Sequence, residues 1–316
     1  MTNNATIRIG TRGSLLARTQ AGLVREQLLP HAGGRSIDLV TISTSGDRLT
    51  GQSLAQIGGK GLFIKEIESA LLAGEIDLAV HSAKDVPVEI PPGLTLAATP
   101  KRELPNDVWI GHEGRRPEEI PAGTRVGSSS LRRQSQFLML RPDVIVEPLR
   151  GNIDTRLRQV QEGRIAGTML ALAGLRRAGL MPQGALILPE DEFVPAVGQG
   201  TLVLETRTDD QVIRQLVNRI HDPVTAAALA FERSIIRKLA GDCLAPIGVC
   251  AQPRAVHDRK GWIVRAIVAS PDGKACARGA LLTDDASIAG LNSLYAPLLA
   301  ALNNRGATEI LAAIRQ

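Results

Sequence analysis

Three kinds of side chain in this sequence could carry chemistry together: a cysteine, an aspartate and a set of arginines. Cys243 lies in the glycine-flanked segment 240–248, which is typical of an exposed loop, and Asp85 ends an apolar run next to Lys84. A thiol can anchor a group covalently, a carboxylate can handle a proton, and arginine side chains can bind several carboxylates. Few chemistries need all three.

The arginines stand where helices are predicted to begin after loops, and serines accompany them. The set comprises Arg12, Ser14, Ser128, Ser129, Ser130, Arg132, Arg133, Arg150 and Arg156. Arginine binds a carboxylate through two parallel hydrogen bonds, and the start of a helix adds hydroxyl and N–H donors for an anion. The set therefore predicts a ligand with several carboxylates, although each arginine taken alone is more often a solvated surface charge.

Asp85 and the cysteines also have ordinary alternatives. Asp85 stands before Val86-Pro87 and could simply cap a turn. A cysteine is most often a small buried apolar residue, and this is the expectation for Cys250 and Cys276, which lie in strand-like stretches. Cys243 differs because its loop makes it accessible. The neighbouring Asp242 should raise the pKa of the Cys243 thiol, which favours a thiol that reacts once and then holds its product.

Length and composition limit the class of protein. A chain of 316 residues, 44% hydrophobic and 22% charged, is typical of a globular protein with two or three domains. No apolar run approaches the roughly 18–20 residues of a membrane span, and the N-terminus lacks a secretory pattern. Three cysteines without a CxxC motif fit a reducing cytosol, and five histidines without ligand spacing predict no metal site. We therefore expect a cytoplasmic protein that does not contact membranes.

The net charge of +5 fits either a solvated basic surface or an anionic partner. Only 2% of the residues are aromatic, too few for the stacking platforms that bind single-stranded nucleic acid. The basic residues stand singly or in pairs beside glycine and serine rather than in a tail. This pattern favours small anions over nucleic acid.

The order of the predicted elements is that of an α/β protein. Strands are predicted over 7–9, 37–43, 78–81, 107–111, 125–127, 144–148, 202–205, 262–269 and 274–282, and helices over 15–29, 62–73, 131–140, 153–161, 223–240, 286–303 and 308–315. Alternation of strand and helix predicts mostly parallel sheets covered by helices. Segments 100–105 and 196–200 are predicted crossovers between two such units, hinged around a ligand-binding cleft.

Taken together, these segments are similar to those of the porphobilinogen deaminase (hydroxymethylbilane synthase) family. The similarity is carried, in the family's order and spacing, by 58–63, 81–88, 127–134, 149–157, 170–175, 196–200 and 240–248. It extends over essentially the whole chain. The sequence departs from the commoner family pattern at Ser45, Gln56, Asp242 and the segment 104–107.

The resemblance implies a fold of two hinged α/β domains, like those of type II periplasmic binding proteins, plus a smaller C-terminal α+β domain. The first domain is expected over 1–100 and 199–220, the second over 101–198 and the third over 221–316. The first would carry Asp85 and a mobile loop with Lys60. The second would carry most of the arginines, and the third would carry Cys243.

The resemblance also implies a transferase of tetrapyrrole biosynthesis. It would condense four porphobilinogen molecules head to tail onto a dipyrromethane cofactor, held on Cys243 as a thioether, with loss of ammonia and final hydrolysis to hydroxymethylbilane. Asp85 would be catalytic: it would assist the loss of ammonia, stabilise the azafulvenium cation and contact the pyrrole N–H groups. The expected product hand-off is to uroporphyrinogen-III synthase, and the expected state is a monomer.

The family's binding residues are carried over by position in the sequence. The cofactor-binding set implied in this way is Cys243, Lys84, Ser129, Ser130, Arg132 and Arg133. The substrate-binding set is Arg12, Ser14, Lys60, Ser128, Arg150, Arg156 and Arg177.

Two other classes of protein share part of the pattern. A solute-binding protein of the hinged two-domain type would use the same serines and arginines, but it would need neither Asp85 nor Cys243. A basic nucleic-acid-binding regulator would need a recognition element, and the sequence contains no such motif.

Overall fold

The structure is a computed structural model, and it describes residues 6–45, 64–87, 89–239, 245–256 and 259–315. The chain folds into two compact units. Unit 1 consists of Met1–Glu103 and Thr201–Ala226, and unit 2 consists of Leu104–Gly200 and Ala227–Gln316. The division of the chain into three domains stays a prediction.

Unit 1 is built around a five-stranded sheet. Its elements are β1 (Ile7–Arg12), α1 (Leu15–Leu28), β2 (Ile37–Ile42), α2 (Lys65–Leu72), β3 (Leu78–Ser82), β4 (Leu94–Ala98), β10 (Leu202–Arg207) and α6 (Gln211–Val217). The strand order is β2-β1-β3-β10-β4. The predicted return of the chain to the first sheet is therefore confirmed, because β10 lies between β3 and β4.

The prediction of a mostly parallel sheet is confirmed for unit 1, where β2, β1, β3 and β4 run in one direction and β10 runs against them. Strand β1 pairs in parallel with β2 and β3, whereas β10 pairs antiparallel with both β3 and β4. The reason is the long-range return of β10, which enters the sheet from a distant part of the chain rather than through a β-α-β unit. Local alternation in the sequence fixes only the direction of strands joined by such units.

Apolar side chains cover both faces of this sheet. On one face α1 packs against the strands, with Val24, Leu78 and Val80 in a buried cluster. On the other face α2 packs through Ile67 and Leu71. The sheet is therefore enclosed on both sides, as in other α/β layers.

Unit 2 contains a second five-stranded sheet and a three-stranded sheet. The first is formed by β5 (Asp107–Gly111), β6 (Arg125–Gly127), β7 (Ile145–Glu147), β8 (Gly167–Ala171) and β9 (Leu186–Ile187), in the order β7-β6-β8-β5-β9. Its helices are α3 (Leu131–Leu140), α4 (Ile153–Gln161) and α5 (Leu172–Ala178). Strand β6 pairs in parallel with β7 and β8, and β5 runs antiparallel to β8.

The three-stranded sheet follows α7 (Pro223–Leu239), which carries the chain from unit 1 into unit 2. It is antiparallel and consists of β11 (Ile247–Val256), β12 (Arg259–Ala269) and β13 (Cys276–Thr283). Helices α8 (Ile288–Ser293), α9 (Tyr295–Asn303) and α10 (Ala307–Arg315) come after it. The predicted single helix over 286–303 is thus two helices, which meet at Leu294. None of the described helices combines the length and the apolar content that a membrane span requires.

The two mixed α/β sheets and the C-terminal sheet with its helices confirm the predicted fold class. The two cysteines of the C-terminal sheet behave differently. Cys250 is buried, as predicted, but Cys276 is exposed, so the prediction for Cys276 is wrong. Cys276 begins the edge strand β13, whose alternate residues point away from the packed face.

Candidate active site

In unit 1, Asp85 lies at the carboxyl edge of the central sheet. Strand β3 ends at Ser82 and continues into a single 3-10 turn, Ala83–Asp85. The Ala83 N–H donates to the Thr201 carbonyl at 3.0 Å, which ties the turn to the start of β10. Asp85 is exposed, and its carboxylate accepts no hydrogen bond within the described ranges. The turn-capping alternative for Asp85 therefore has no supporting contact there.

The first arginine and its serine lie at the same sheet edge. Because β1 and β3 are parallel neighbours, Arg12 at the end of β1 and the Asp85 turn after β3 leave the sheet on one side. Ser14 is the N-cap of α1, and its hydroxyl accepts a hydrogen bond from the Ala17 N–H at 3.3 Å. The buried Thr11 hydroxyl beside Arg12 has no hydrogen-bond partner among the described residues.

In unit 2, the serine run forms the start of α3. The Ser130 hydroxyl caps this helix by accepting from the Arg133 N–H at 3.4 Å. The Ser129 hydroxyl donates to the Leu149 carbonyl at 2.8 Å, and the Ser128 hydroxyl accepts from the Ser130 N–H at 3.2 Å. These bonds hold the run next to the chain that follows β7. Sequence reasoning predicted this helix, Leu131–Leu140, at its observed bounds.

Arg132 and Arg133 share one buried carboxylate, that of Asp107. The Arg132 guanidinium donates to both oxygens at 2.7 and 3.3 Å, and the Arg133 Nε–H donates at 2.8 Å. Asp107 is fully buried, and the two arginine side chains are 5% and 8% exposed. The alternative of a solvated helix start is therefore wrong for both arginines, because their charged ends lie inside the protein.

The two guanidinium groups control the ionisation of Asp107. Burial raises the pKa of the Asp107 carboxyl, but the positive charges and hydrogen bonds of Arg132 and Arg133 outweigh it and lower that pKa to about 2. Arg132 also donates to the Val194 carbonyl at 2.8 Å, and its guanidinium lies 5.8 Å from the centre of the Phe193 ring. Arg132 Nε is buried with no hydrogen-bond partner in the described part of the chain.

The remaining arginines of the set follow neighbouring strands of the same sheet. Arg150 comes after β7, and Arg156 lies in the first turns of α4, where its Nε–H donates to the Gly151 carbonyl at 2.8 Å. Arg177 lies in α5 after β8, and its guanidinium donates to the Gly200 carbonyl at 2.7 Å. Strands β6, β7 and β8 are parallel, so Arg150 and the start of α4 lie on the side of the sheet where the serine run lies, while Arg177 lies in the last turn of the short helix that follows β8.

The predicted set is thus distributed over the carboxyl edge of the sheet in unit 1 and that of the five-stranded sheet in unit 2. The edge of unit 1 holds Arg12, Ser14, Lys84 and Asp85. The edge of unit 2 holds Ser128, Ser129, Ser130, Arg132, Arg133, Arg150 and Arg156, and Arg177 lies in α5. Cys243 and Lys60 lie outside the described residues.

Sequence reasoning missed Asp107. The signal that could have identified it is a carboxylate opening an otherwise apolar and fully buried strand, Asp107–Gly111. A carboxylate in such a place needs a cationic partner, because an unpaired buried charge is strongly unfavourable.

Arginines and serines gathered at the carboxyl edges of α/β sheets are typical of proteins that bind small carboxylate ligands. Sequence comparison makes this class more specific. Residues 7–215 match the family model described as porphobilinogen deaminase, dipyromethane cofactor binding domain. The chain belongs to the porphobilinogen deaminase family.

Relatives named porphobilinogen deaminase cover between 77% and 99% of this chain. The protein of Brevibacillus brevis is 41% identical over 307 residues, which is 97% of each chain. That of Syntrophotalea carbinolica is 43% identical over 312 residues, 99% of this chain and 97% of the other. That of Syntrophobacter fumaroxidans is 49% identical over 242 residues, 77% and 78% of the two chains. Among solved structures, the methionine binding protein MetQ matches 68% of this chain and 89% of its own, with 14% identity and a TM-score of 0.42.

Proposed function

We propose that this chain is a hydroxymethylbilane synthase that joins four porphobilinogen molecules head to tail and releases the linear product by hydrolysis. Each condensation breaks the carbon–nitrogen bond of a substrate's aminomethyl group and joins that carbon to the open end of the chain. The pyrrole carbon at the open end loses one proton, and the amino group leaves with that proton as ammonia. The observation that carries the proposal is that, in a member of this family, arginine and serine side chains gather at the sheet edge of each unit and an exposed aspartate lies at the edge of unit 1.

The residues of unit 2 fit a dipyrromethane, which bears four carboxylates. In the cluster of Asp107, Arg132 and Arg133, two buried guanidinium groups share one carboxylate. The buried Arg132 Nε without a partner is a donor that a ligand carboxylate can satisfy. We propose that these arginines, with Lys84, Ser129 and Ser130, hold the cofactor. Bound to Cys243 as a thioether, it would supply the pyrrole carbon to which the first substrate is joined.

Asp85 is proposed to act on each incoming substrate. Its carboxylate would accept a hydrogen bond from the pyrrole N–H, and its negative charge would stabilise the cation that develops on the substrate as ammonia leaves. Two features of the structure support this role: the carboxylate is exposed at the carboxyl edge of the sheet, and no described residue donates a hydrogen bond to it. Arg12 and Ser14 share that edge.

The other arginines are proposed to bind the substrate and the growing chain. Every porphobilinogen adds an acetate and a propionate, so negative charge accumulates at each cycle. Arg150, Arg156 and Arg177, with Arg12, Ser14, Lys60 and Ser128, would offset this charge, since repulsion would otherwise keep a polyanion away from Asp85. Arg156 is pre-oriented for this purpose by its hydrogen bond to Gly151.

The alternative of a solute-binding protein is not favoured, because the chain belongs to the porphobilinogen deaminase family, and a solute-binding protein would need neither Asp85 nor Cys243. We further propose that the protein acts in the cytoplasm as a monomer. Its product would pass to uroporphyrinogen-III synthase.

Intact mass tests this proposal. Protein made in cells that supply porphobilinogen should be heavier than its sequence by one dipyrromethane, and the added mass should map to the peptide that contains Cys243. An acidic aldehyde reagent for pyrroles should colour this protein. Purified protein should convert porphobilinogen to hydroxymethylbilane and ammonia.

Cys243→Ser should lose the adduct, the colour and the activity. The exposed Cys276 provides the matched control, because Cys276→Ser should retain all three. An adduct on Cys250 or Cys276, or wild-type protein with neither adduct nor turnover, would contradict the proposal.

A further inference from the structure

The carboxyl end of β3, which leads into the Asp85 turn, is held by backbone pairing on one side only. Strand β1 pairs with β3 only at Leu78 and Ala79. Strand β10, on the other side, pairs with β3 along its full length, up to Ser82. The placement of the last three residues of β3 therefore depends on β10 and on side-chain contacts.

One such contact is a buried pair between the two strands. His81 Nε2 lies 3.0 Å from Glu205 Oε2, and the two side chains are 5% and 0% exposed. In the strand register, His81 is opposite Val203 and Glu205 is opposite Ala79, so the pair is a diagonal cross-strand contact on one face of the sheet. It lies on the α2 face, where Ala79 belongs to the apolar cluster.

Burying His81 and Glu205 costs free energy that two buried apolar side chains would not cost. The second carboxylate oxygen, Glu205 Oε1, is buried and has no hydrogen-bond partner in the described ranges. The pKa of the Glu68 carboxyl on α2 is raised, mainly because the group is buried and also because the Glu205 charge repels it. Two apolar side chains of similar volume would stabilise the layer at least as well as this pair.

A polar pair does what an apolar pair cannot, because it specifies one register. A slip of β3 along β10 would separate the imidazole from Glu205 and leave a buried charge unpaired. On the opposite face of the strand, the Ser82 hydroxyl bonds to the Gln20 side-chain amide at 3.1 and 3.2 Å. Polar contacts thus hold both faces of β3 at Ser82 and His81, three and four residues before Asp85.

We propose that His81 and Glu205 are positioning residues for Asp85: the pair fixes the end of β3, and thereby the place of the catalytic carboxylate, without touching the substrate. The inference rests on the proposed function of Asp85. A reacting group displaced by about 1 Å can lose on the order of 100-fold in rate, so a fixed strand end matters for turnover.

The test compares Glu205→Leu and the double variant His81→Leu/Glu205→Leu with wild type. The double variant leaves no unpaired buried group, which keeps the test valid if Glu205→Leu alone does not fold. Both should carry dipyrromethane and keep the wild-type KM, while kcat falls about 10- to 100-fold. Glu205→Gln, which can still accept a hydrogen bond from His81, should recover most of the turnover. Hydrogen exchange should be faster over residues 80–87 in the leucine variants only.

The control is Asp77→Asn, at the opposite end of the same strand. The Asp77 carboxylate pairs with Arg8 at 2.8 Å, just before β3 begins. This variant should lose stability but keep kcat and the slow exchange of 80–87. The inference is overturned by a normal kcat in the double variant, or by an equal kcat loss in Asp77→Asn. Wild-type protein without dipyrromethane and turnover would instead overturn the proposed function itself.

Discussion

At the scale of single residues, Asp107 determines how two arginines of unit 2 are presented. Its carboxylate receives three guanidinium hydrogen bonds and is completely buried. These three hydrogen bonds hold the Arg132 and Arg133 guanidinium groups in defined orientations. A mobile arginine would lose side-chain entropy on binding a ligand, so this arrangement lowers the cost of binding a carboxylate at this edge.

Asp107→Asn should therefore destabilise the protein strongly. The change removes the buried carboxylate that both guanidinium groups share, and we expect the free energy of unfolding to fall by about 3–5 kcal/mol. Urea unfolding of the dipyrromethane-free protein measures this loss. Asp143→Asn is the matched control, because Asp143 pairs with Arg141 at 2.7 Å but is exposed, and little change is expected. Equal stability of the two variants would contradict the role given to Asp107.

The same carboxylate should give a distinct pH dependence. The pKa of Asp107 is lowered from 3.8 to about 2, so its contribution to stability is fully present above pH 4 and is lost as pH falls through 2. The contribution is about 2 kcal/mol. The Asp107 carboxyl signal should titrate near pH 2 by carbon NMR. The difference in the free energy of unfolding between wild type and Asp107→Asn should become smaller as the pH falls from 4 to 2. A midpoint near 4 would show that the arginines do not hold the charge.

Asp85→Asn should separate catalysis from folding. The amide has the same shape but can neither handle the proton nor neutralise a developing cation, so turnover should fall by about 100-fold or more. Stability should stay unchanged, because Asp85 is exposed. Dipyrromethane supplied preformed should still be found by intact mass. Asp38→Asn, an exposed aspartate of β2, is the control with normal turnover. Normal turnover in Asp85→Asn would return Asp85 to an ordinary surface turn residue.

At the scale of secondary-structure elements, the sequence predicted the helices and strands that have a clear local signal. The serine cap gave α3 as Leu131–Leu140 without error, and α1 differs from its prediction by one residue. Strand β8, Gly167–Ala171, was missed because every residue in it is buried, so it shows no alternation between apolar and polar. The break at Leu294 was missed because apolar periodicity continues across it.

The end of β6 offers a test of how tightly the serine run is placed. A Cβ atom added at Gly127 would lie 2.7 to 2.9 Å from the side chains of Ile165 and Leu149. Gly127→Ala should therefore lower stability by about 1–3 kcal/mol and reduce the dipyrromethane content, because β6 must shift together with Ser128. Gly22 in α1 has open space around it, so Gly22→Ala should raise stability by about 0.5–1 kcal/mol. Thermal unfolding measures the change in stability, and intact mass measures the dipyrromethane content. If Gly127→Ala changes neither, the end of β6 tolerates movement and the prediction is wrong.

At the scale of the whole molecule, the sequence predicted which residue types gather at sheet edges but not their partners. The Arg132–Asp107 pair joins positions 25 residues apart, and the His81–Glu205 pair joins positions 124 residues apart. Local periodicity holds no information on such pairings. They follow from strand order, and the decisive strand, β10, returns to unit 1 only after residue 200. The buried state of the two arginines could not be predicted for the same reason.

Arg132 should determine both the cofactor content and the stability of the protein. Arg132→Leu should leave most of the protein without dipyrromethane, even in cells that supply porphobilinogen, because it removes the guanidinium whose Nε is buried and unpartnered in the described structure. Arg132→Lys should rescue only part of the content, since an ammonium keeps the charge but loses the two parallel hydrogen bonds. Arg156→Leu should keep the cofactor but accumulate enzyme-bound intermediates, because this arginine is assigned to the growing chain. Intact mass with and without substrate distinguishes the three variants.

The accompanying loss of stability has two sources that can be separated. A ligand that binds only the folded state raises the unfolding temperature, so any dipyrromethane-free form should unfold earlier than the loaded wild type. Arg132→Leu also leaves Asp107 with Arg133 alone. Wild type stripped of the cofactor therefore gives the ligand contribution, and the further decrease in Arg132→Leu gives that of the buried ion pair. Arg132→Leu protein with a full cofactor content and normal turnover would remove Arg132 from the cofactor site and leave it a purely structural partner of Asp107.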